Sequence, residues 1–227
     1  MEILHNGFTL ELSPGAFPFS TDSAVLGHFA KLPRQAAVLD LGAGCGTLGL
    51  LLCAKDPACH VTGVELDPAA HAAAEENIRR NGLSGRMESI CTDLRTLRLT
   101  PGSFDVCVSN PPYFSGGPAS KRTPLARRED CCPPEELLSC AARHVKYGGD
   151  VYLVHKPDRL AQLITLAARE GLETKRLCLL RHQPEKEISL VLLQLRKGGK
   201  PGLLLEEACL FDRANQPTDF YRKVYHL

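Results

Sequence analysis

From about residue 36 onward two kinds of segment alternate, and this alternation leaves the chain few architectures. Val38-Leu39-Asp40-Leu41, Val61-Thr62-Gly63-Val64-Glu65, Phe104-Asp105-Val106-Cys107-Val108 and Val151-Tyr152-Leu153-Val154 are short, apolar and β-branched, as strands buried on both faces must be. Helix-like stretches lie between them. Thr47 to Ala54 is one; Pro68 to Arg80 is another, with Asp67 as its N-cap and Asn81-Gly82 as its stop. Pro134 to His144, with proline near its start, and Asp158 to Glu170, closed by Gly171, repeat the pattern. Strand then helix, repeated, gives a parallel sheet with helices on both faces. Leu172 to Leu180 and Ile188 to Leu195 are joined by Arg181–Glu187, too short a connection for a crossover helix, so these two strands are antiparallel neighbours. The expectation is an α/β fold on a mostly parallel, seven-stranded sheet that ends in an antiparallel hairpin. Residues 197–202 read as an exposed loop, and the tail through Leu227 gives no assignment.

A chain of 227 residues accommodates one α/β domain with a short extension and excludes a long multi-domain machine. Apolar residues make up 44% and charged residues 23%, enough for a real core and contrary to disorder. With 27 Lys and Arg against 26 Asp and Glu, the formal net charge is +1; a polyanionic partner must therefore be held by a local basic patch. The ten Cys include no CxxC pair, which argues against a zinc ribbon or a disulfide framework and for reduced, buried apolar residues. Met1-Glu2-Ile3-Leu4-His5 lacks a basic n-region and an apolar h-region, and no apolar run approaches about 18 residues. A cytoplasmic protein with no membrane span is expected.

The string Asp40-Leu-Gly42-Ala-Gly44-Cys-Gly46-Thr-Leu-Gly49 directly follows a strand and opens a helix. Such glycines let a ligand approach the main chain, and the helix start presents free N–H groups. Glu65 ends the next strand, 19 residues after Gly46, about the spacing at which a carboxylate accepts hydrogen bonds from ribose hydroxyls. Gly44-x-Gly46-x-x-Gly49 also fits a nicotinamide or flavin site. Asp40 favours a different ligand: it would repel a pyrophosphate but suits a molecule carrying an ammonium and a sulfonium, as S-adenosylmethionine does. Asp93, after the third strand, can accept from an adenine amino group or simply cap its loop.

The fourth strand runs into Ser109-Asn110-Pro111-Pro112-Tyr113, and ligands of open α/β sheets bind outside the carboxyl ends of the strands. Two prolines fix the chain direction and leave carbonyls outside any ladder. An Asn side-chain oxygen and a Pro carbonyl form a pair of acceptors for one –NH2 group, beside a Tyr ring that offers a face for stacking. This cradle suits a planar amide or an exocyclic amine.

Asp40-Leu-Gly-Ala-Gly-Cys-Gly46 resembles the first motif of class I, Rossmann-like S-adenosylmethionine-dependent methyltransferases, and Asn110-Pro-Pro-Tyr113 that of enzymes methylating adenine amino groups or the glutamine amide of release factors. Phe17-Pro-Phe-Ser20-Thr-Asp22-Ser23-Ala-Val-Leu, Ala126-Arg127-Arg128-Glu129, Lys197-Gly-Gly-Lys-Pro-Gly-Leu203 and Asp219-Phe-Tyr-Arg-Lys-Val-Tyr225 narrow this to a resemblance to the bacterial tRNA1(Val) adenine-37 N6-methyltransferase family. The resemblance implies methyl transfer from S-adenosylmethionine to an adenine amino group of tRNA, with S-adenosylhomocysteine released. Asn110, Pro111, Pro112 and Tyr113 would form the catalytic turn; Asp40, Gly42, Gly44, Gly46, Glu65 and Asp93 would hold the cofactor, with Asp22 packed over it. Ser20, Thr21 or Asp22 can equally be the cap of the helix containing Ala24, Val25 and Leu26. Lys121, Arg122, Arg127 and Arg128 are candidates to grip RNA phosphates. No metal site is expected. Residues 1–35 are expected to be an N-terminal extension packed on the cofactor side and residues 36–227 the methyltransferase domain. Glutamine methylation of a release factor, guanine-N2 methylation of ribosomal RNA and a non-catalytic RNA-binding scaffold are the alternatives, and monomer or homodimer is left open.

Overall fold

Two short strands, β1 (Glu2–Ile3) and β2 (Thr9–Leu10), pair with each other ahead of the main sheet. Helix α1 (Thr21–Phe29) then leads into β3 (Ala37–Leu41), α2 (Thr47–Lys55), β4 (His60–Glu65), α3 (Pro68–Arg80), β5 (Met87–Cys91) and β6 (Phe104–Ser109). Beyond these come α4 (Pro134–His144), β7 (Val145–His155), α5 (Leu160–Arg169), β8 (Leu172–Arg181), β9 (Ile188–Lys197), β10 (Leu204–Cys209) and α6 (Asp219–Tyr225). The structure, a computed structural model, describes residues 2–4, 7–13, 19–111 and 133–226.

The main sheet has the order β10-β8-β9-β7-β6-β3-β4-β5. Strands β5, β4, β3, β6 and β7 are mutually parallel, and β9 runs antiparallel to both β7 and β8. Side chains alternate between two cores, as the period of a strand requires. Val38, Val106, Val108, Tyr152 and Val154 face one core with α1, α2, α3 and α6. Leu39, Leu41, Cys107, Val151 and Leu153 face the other, with α4 and α5. Burial on both faces is why these strands read as unbroken apolar runs.

The expected count of seven strands is corrected to eight: β10 continues the sheet beyond the hairpin, parallel to β8, with Leu204 opposite Arg176. Its sequence, Leu-Leu-Glu-Glu-Ala-Cys, gave no strand signal because an edge strand has one neighbour and little to bury; all six residues are exposed or half-buried. A 3-10 turn at Pro157–Arg159 delays the start of α5 to Leu160. The caps fall where expected: Asp67 accepts from the Ala69 N–H at the start of α3 and Asn81 closes it.

Helix α1 is fixed at both ends. At its C-terminus Lys55 Nζ donates to the carbonyls of Gly27, His28 and Ala30; at its N-terminus the Tyr225 hydroxyl of α6 donates to Thr21 Oγ1 at 3.1 Å. The Arg176 guanidinium lies 4.2 Å over the Phe29 ring. The segment of residues 9–13 is tied to α3, since Asn77 and Asn81 side chains bond the backbone of Glu11 and Thr9.

Candidate active site

Strand β3 is where the sheet changes direction: β4 and β5 follow to one side, β6 and β7 to the other. Loops leaving β3 and β6 therefore diverge and open a crevice at the carboxyl ends of the strands. The register Asp40↔Val108 brings the ends of β3 and β6 side by side, with Gly42 and Asn110 next in the chain after them. The Ser109 hydroxyl donates to the Leu41 carbonyl at 2.6 Å, bracing the two strand ends against each other. Glycine turn and Asn110 thus share one crevice.

Gly42, Gly44 and Gly46 all have positive φ, +75°, +57° and +85°. At Gly44 the need is plain: its N–H donates to Glu65 Oε2 at 2.7 Å, and a Cβ there would meet no heavy atom within 4 Å, so the backbone is open to a ligand. Gly46 is the left-handed N-cap of α2 and offers no side chain to the helix's first N–H groups, which leaves that end suited to hydrogen-bond acceptors. Glu65 also receives the Asp67 N–H on Oε1 at 2.8 Å. Its carboxylate is thereby held in place at the mouth of the crevice, half-buried.

Asp40 is 1% exposed, and neither carboxylate oxygen has a hydrogen-bond partner among the described residues. Burial, then the Glu65 carboxylate, pushes its pKa up to about 7, against the opposing Gly49 amide. A buried carboxyl in this condition either keeps its proton or takes a cationic partner.

Asp93 caps the turn Leu94–Thr96 through the Arg95 N–H and is paired with the Arg95 guanidinium. Those bonds hold its carboxyl below the usual range. Its role as a loop cap is therefore visible. Ser20, rather than Asp22, caps α1 by accepting from the Ser23 N–H. Asp22 sits in the first turn, where burial raises its pKa and nearby Lys156 opposes the rise. Asn110 donates from Nδ2 to Ser23 Oγ at 3.0 Å, and Pro111 follows it, buried. Pro112, Tyr113, Lys121, Arg122, Arg127 and Arg128 lie outside the described residues.

Two features of the site carried no sequence signal. Ser23 reaches Asn110 from 87 residues away, and its serine looked like part of a helix start. Cys45, in the glycine turn, has its sulfur 3.4 Å from the Ser13 N–H, so the segment before α1 touches the turn.

Strand order, glycine turn and crevice together define the class I, Rossmann-like methyltransferase fold, the class whose methyl donor is S-adenosylmethionine. Among solved structures, a predicted O-methyltransferase from Agrobacterium tumefaciens matches with a TM-score of 0.76 at 19% identity, covering 91% of this chain and 96% of that one. The [4+2]-cyclase SpnF matches at 0.59, with 15% identity and coverage of 78% and 81%. A fold shared with a cyclase cannot by itself specify chemistry. Residues 19–168 match the family model "Methyltransferase small domain", and the chain belongs to that family. Its curated relatives include proteins named tRNA1(Val) (adenine(37)-N6)-methyltransferase. The one from Tolumonas auensis is 34% identical over 92% of this chain and 88% of its own; the one from Photobacterium profundum is 29% identical over 88% and 87%.

Proposed function

We propose that this enzyme transfers a methyl group from S-adenosylmethionine to the exocyclic amino group of an adenine in tRNA, beside the anticodon. The observation that carries the reading is the placement of Asn110 directly after β6, whose end is braced against the end of β3, where the glycine turn begins. Similarity to the curated tRNA enzymes over most of the chain supports the choice of RNA.

The donor supplies an electrophilic methyl group on a sulfonium. Its cationic part fits the uncompensated Asp40 carboxylate, and Glu65, Gly42, Gly44 and Gly46 are the residues proposed to take its ribose and approach its backbone-facing side. Asp93 is proposed for the adenine end; binding there would have to compete with Arg95. Residues 1–35, which reach the glycine turn at Cys45, are proposed as an extension covering the donor, with Asp22 beside it, and residues 36–227 as the methyltransferase domain.

On the acceptor side, Asn110 Oδ1 and the Pro111 carbonyl accept the two N–H groups of the target amine. That arrangement favours the pyramidal nitrogen whose lone pair can attack, and it aligns the nitrogen with the methyl group. No strong base is required, because the nitrogen becomes acidic once methylated. Pro112 and Tyr113 complete the proposed catalytic turn, and Tyr113 is proposed to stack on the base, worth about 1–3 kcal/mol. The base must leave the loop stack to enter. Lys121, Arg122, Arg127 and Arg128 follow the turn and are proposed to hold phosphates.

Incubation with labelled methyl donor and deproteinised bulk tRNA is expected to label the RNA. Asn110→Ala is expected to abolish transfer while leaving donor binding, measured by calorimetry, within a few-fold. Efficient transfer to protein with none to RNA would overturn the substrate assignment. Equal loss of transfer and donor binding would move Asn110 into the cofactor pocket.

A further inference from the structure

We infer that Ser23 is a positioning residue for Asn110: its hydroxyl takes the Asn110 –NH2 end and so presents the amide oxygen to the acceptor amine. The inference rests on the reading of Asn110 as the acceptor of the amine's hydrogen bonds. A carboxamide carries opposite polarities at its two ends, and its terminal torsion is broad and roughly two-fold. An amine whose lone pair must be free for the methyl group needs acceptors beside its N–H groups. A carboxamide turned the other way would aim its own N–H at that lone pair. An acceptor placed at its –NH2 end holds the carboxamide in the productive orientation.

Ser23 is placed to do so. It is 8% exposed, its Oγ lies 3.0 Å from Asn110 Nδ2, and the Ser20 hydroxyl donates to the same oxygen at 3.5 Å. The helix that carries it is anchored by elements other than the catalytic turn. Ser20 caps its start, Tyr225 bonds Thr21, and Lys55 grips the carbonyls at its far end. Ser23 is thus a fixed point against which a side chain on another element can be set. The N-terminal helix, which precedes the first parallel strand, becomes part of the acceptor site.

Steady-state kinetics on Ser23→Ala and Ser23→Thr test this, alongside Asn110→Ala and the Ser23→Ala/Asn110→Ala double variant. For Ser23→Ala the expected result is a kcat lowered about 10- to 100-fold, the scale of loss when a reacting group is misplaced. KM for tRNA, donor affinity and melting temperature should stay near wild type. Ser23→Thr, which keeps the hydroxyl, is expected to recover most of the rate. The double variant should be no worse than Asn110→Ala alone, because both changes remove one function. A kcat for Ser23→Ala within two-fold of wild type, with Asn110→Ala inactive, overturns this inference alone. A fully active Asn110→Ala overturns the reading beneath it. Should the Ala variant lose its fold, Ser23→Cys, of similar size but a far weaker acceptor, takes its place with the same two outcomes.

Discussion

A carboxyl group buried to 1% exposure without a hydrogen-bond partner among the described residues, as Asp40 is, makes the fold less stable once it ionises. Its pKa rises from 3.8 to about 7, through burial first and the Glu65 carboxylate second. The folded protein thus binds this proton more tightly than the unfolded chain. The resulting stability is fully present below pH 3.8 and is lost as the pH rises through 7. At about 1.4 kcal/mol per tenfold change in proton affinity, the loss reaches at most about 4 kcal/mol. Asp40→Asn is therefore expected to melt higher than wild type at pH 8, with the gap narrowing toward pH 5, while binding S-adenosylmethionine more weakly. Thermal melts across that range and calorimetry check both. A variant that melts no higher at pH 8 would show that the carboxylate is compensated in the free protein.

At the scale of elements, the position of α1 decides the position of the site. Lys55 on α2 satisfies three carbonyls at its C-terminus. Lys55→Met keeps most of the stem but leaves those groups unpaired or wet, and a loss of about 1–3 kcal/mol is expected, measured by urea unfolding. Activity should fall more than donor binding, because α1 carries Ser23. Strands β3, β4, β6 and β7 were legible because burial on both faces writes itself as apolar, β-branched runs, and β8 and β9 because so short a connection joins them; β10 was not, because Leu204–Cys209 packs on β8 along one edge only. The glycine turn and Asn110 were legible for a related reason: each motif lies within a few residues, where backbone geometry and side-chain chemistry constrain one another locally. The bond from Asn110 to Ser23 spans 87 residues and depends on how α1 is docked, which no local pattern encodes. Asp22 shows the converse: its acid near a helix start reads as a cap, but the Ser20 hydroxyl has that place.

For the molecule as a whole, the formal net charge of +1 provides no general attraction for RNA. On the proposed function, affinity for tRNA comes from a few local cations and from stacking. A plot of log affinity against log salt is expected to have a shallow slope, no steeper than about −4, matching about four phosphate contacts. Replacing Lys121 and Arg122 by Ala should reduce that slope by about 1.5 to 2. An unchanged slope would move the phosphate contacts elsewhere.

The central claim is that the methyl group goes to an adenine amino nitrogen of tRNA. The most direct measurement is mass spectrometry of nucleosides from tRNA incubated with the enzyme and isotopically labelled S-adenosylmethionine. The expected result is labelled N6-methyladenosine, present with wild-type enzyme and absent with Asn110→Ala. Label in N2-methylguanosine, or in protein glutamine with none in RNA, would contradict it.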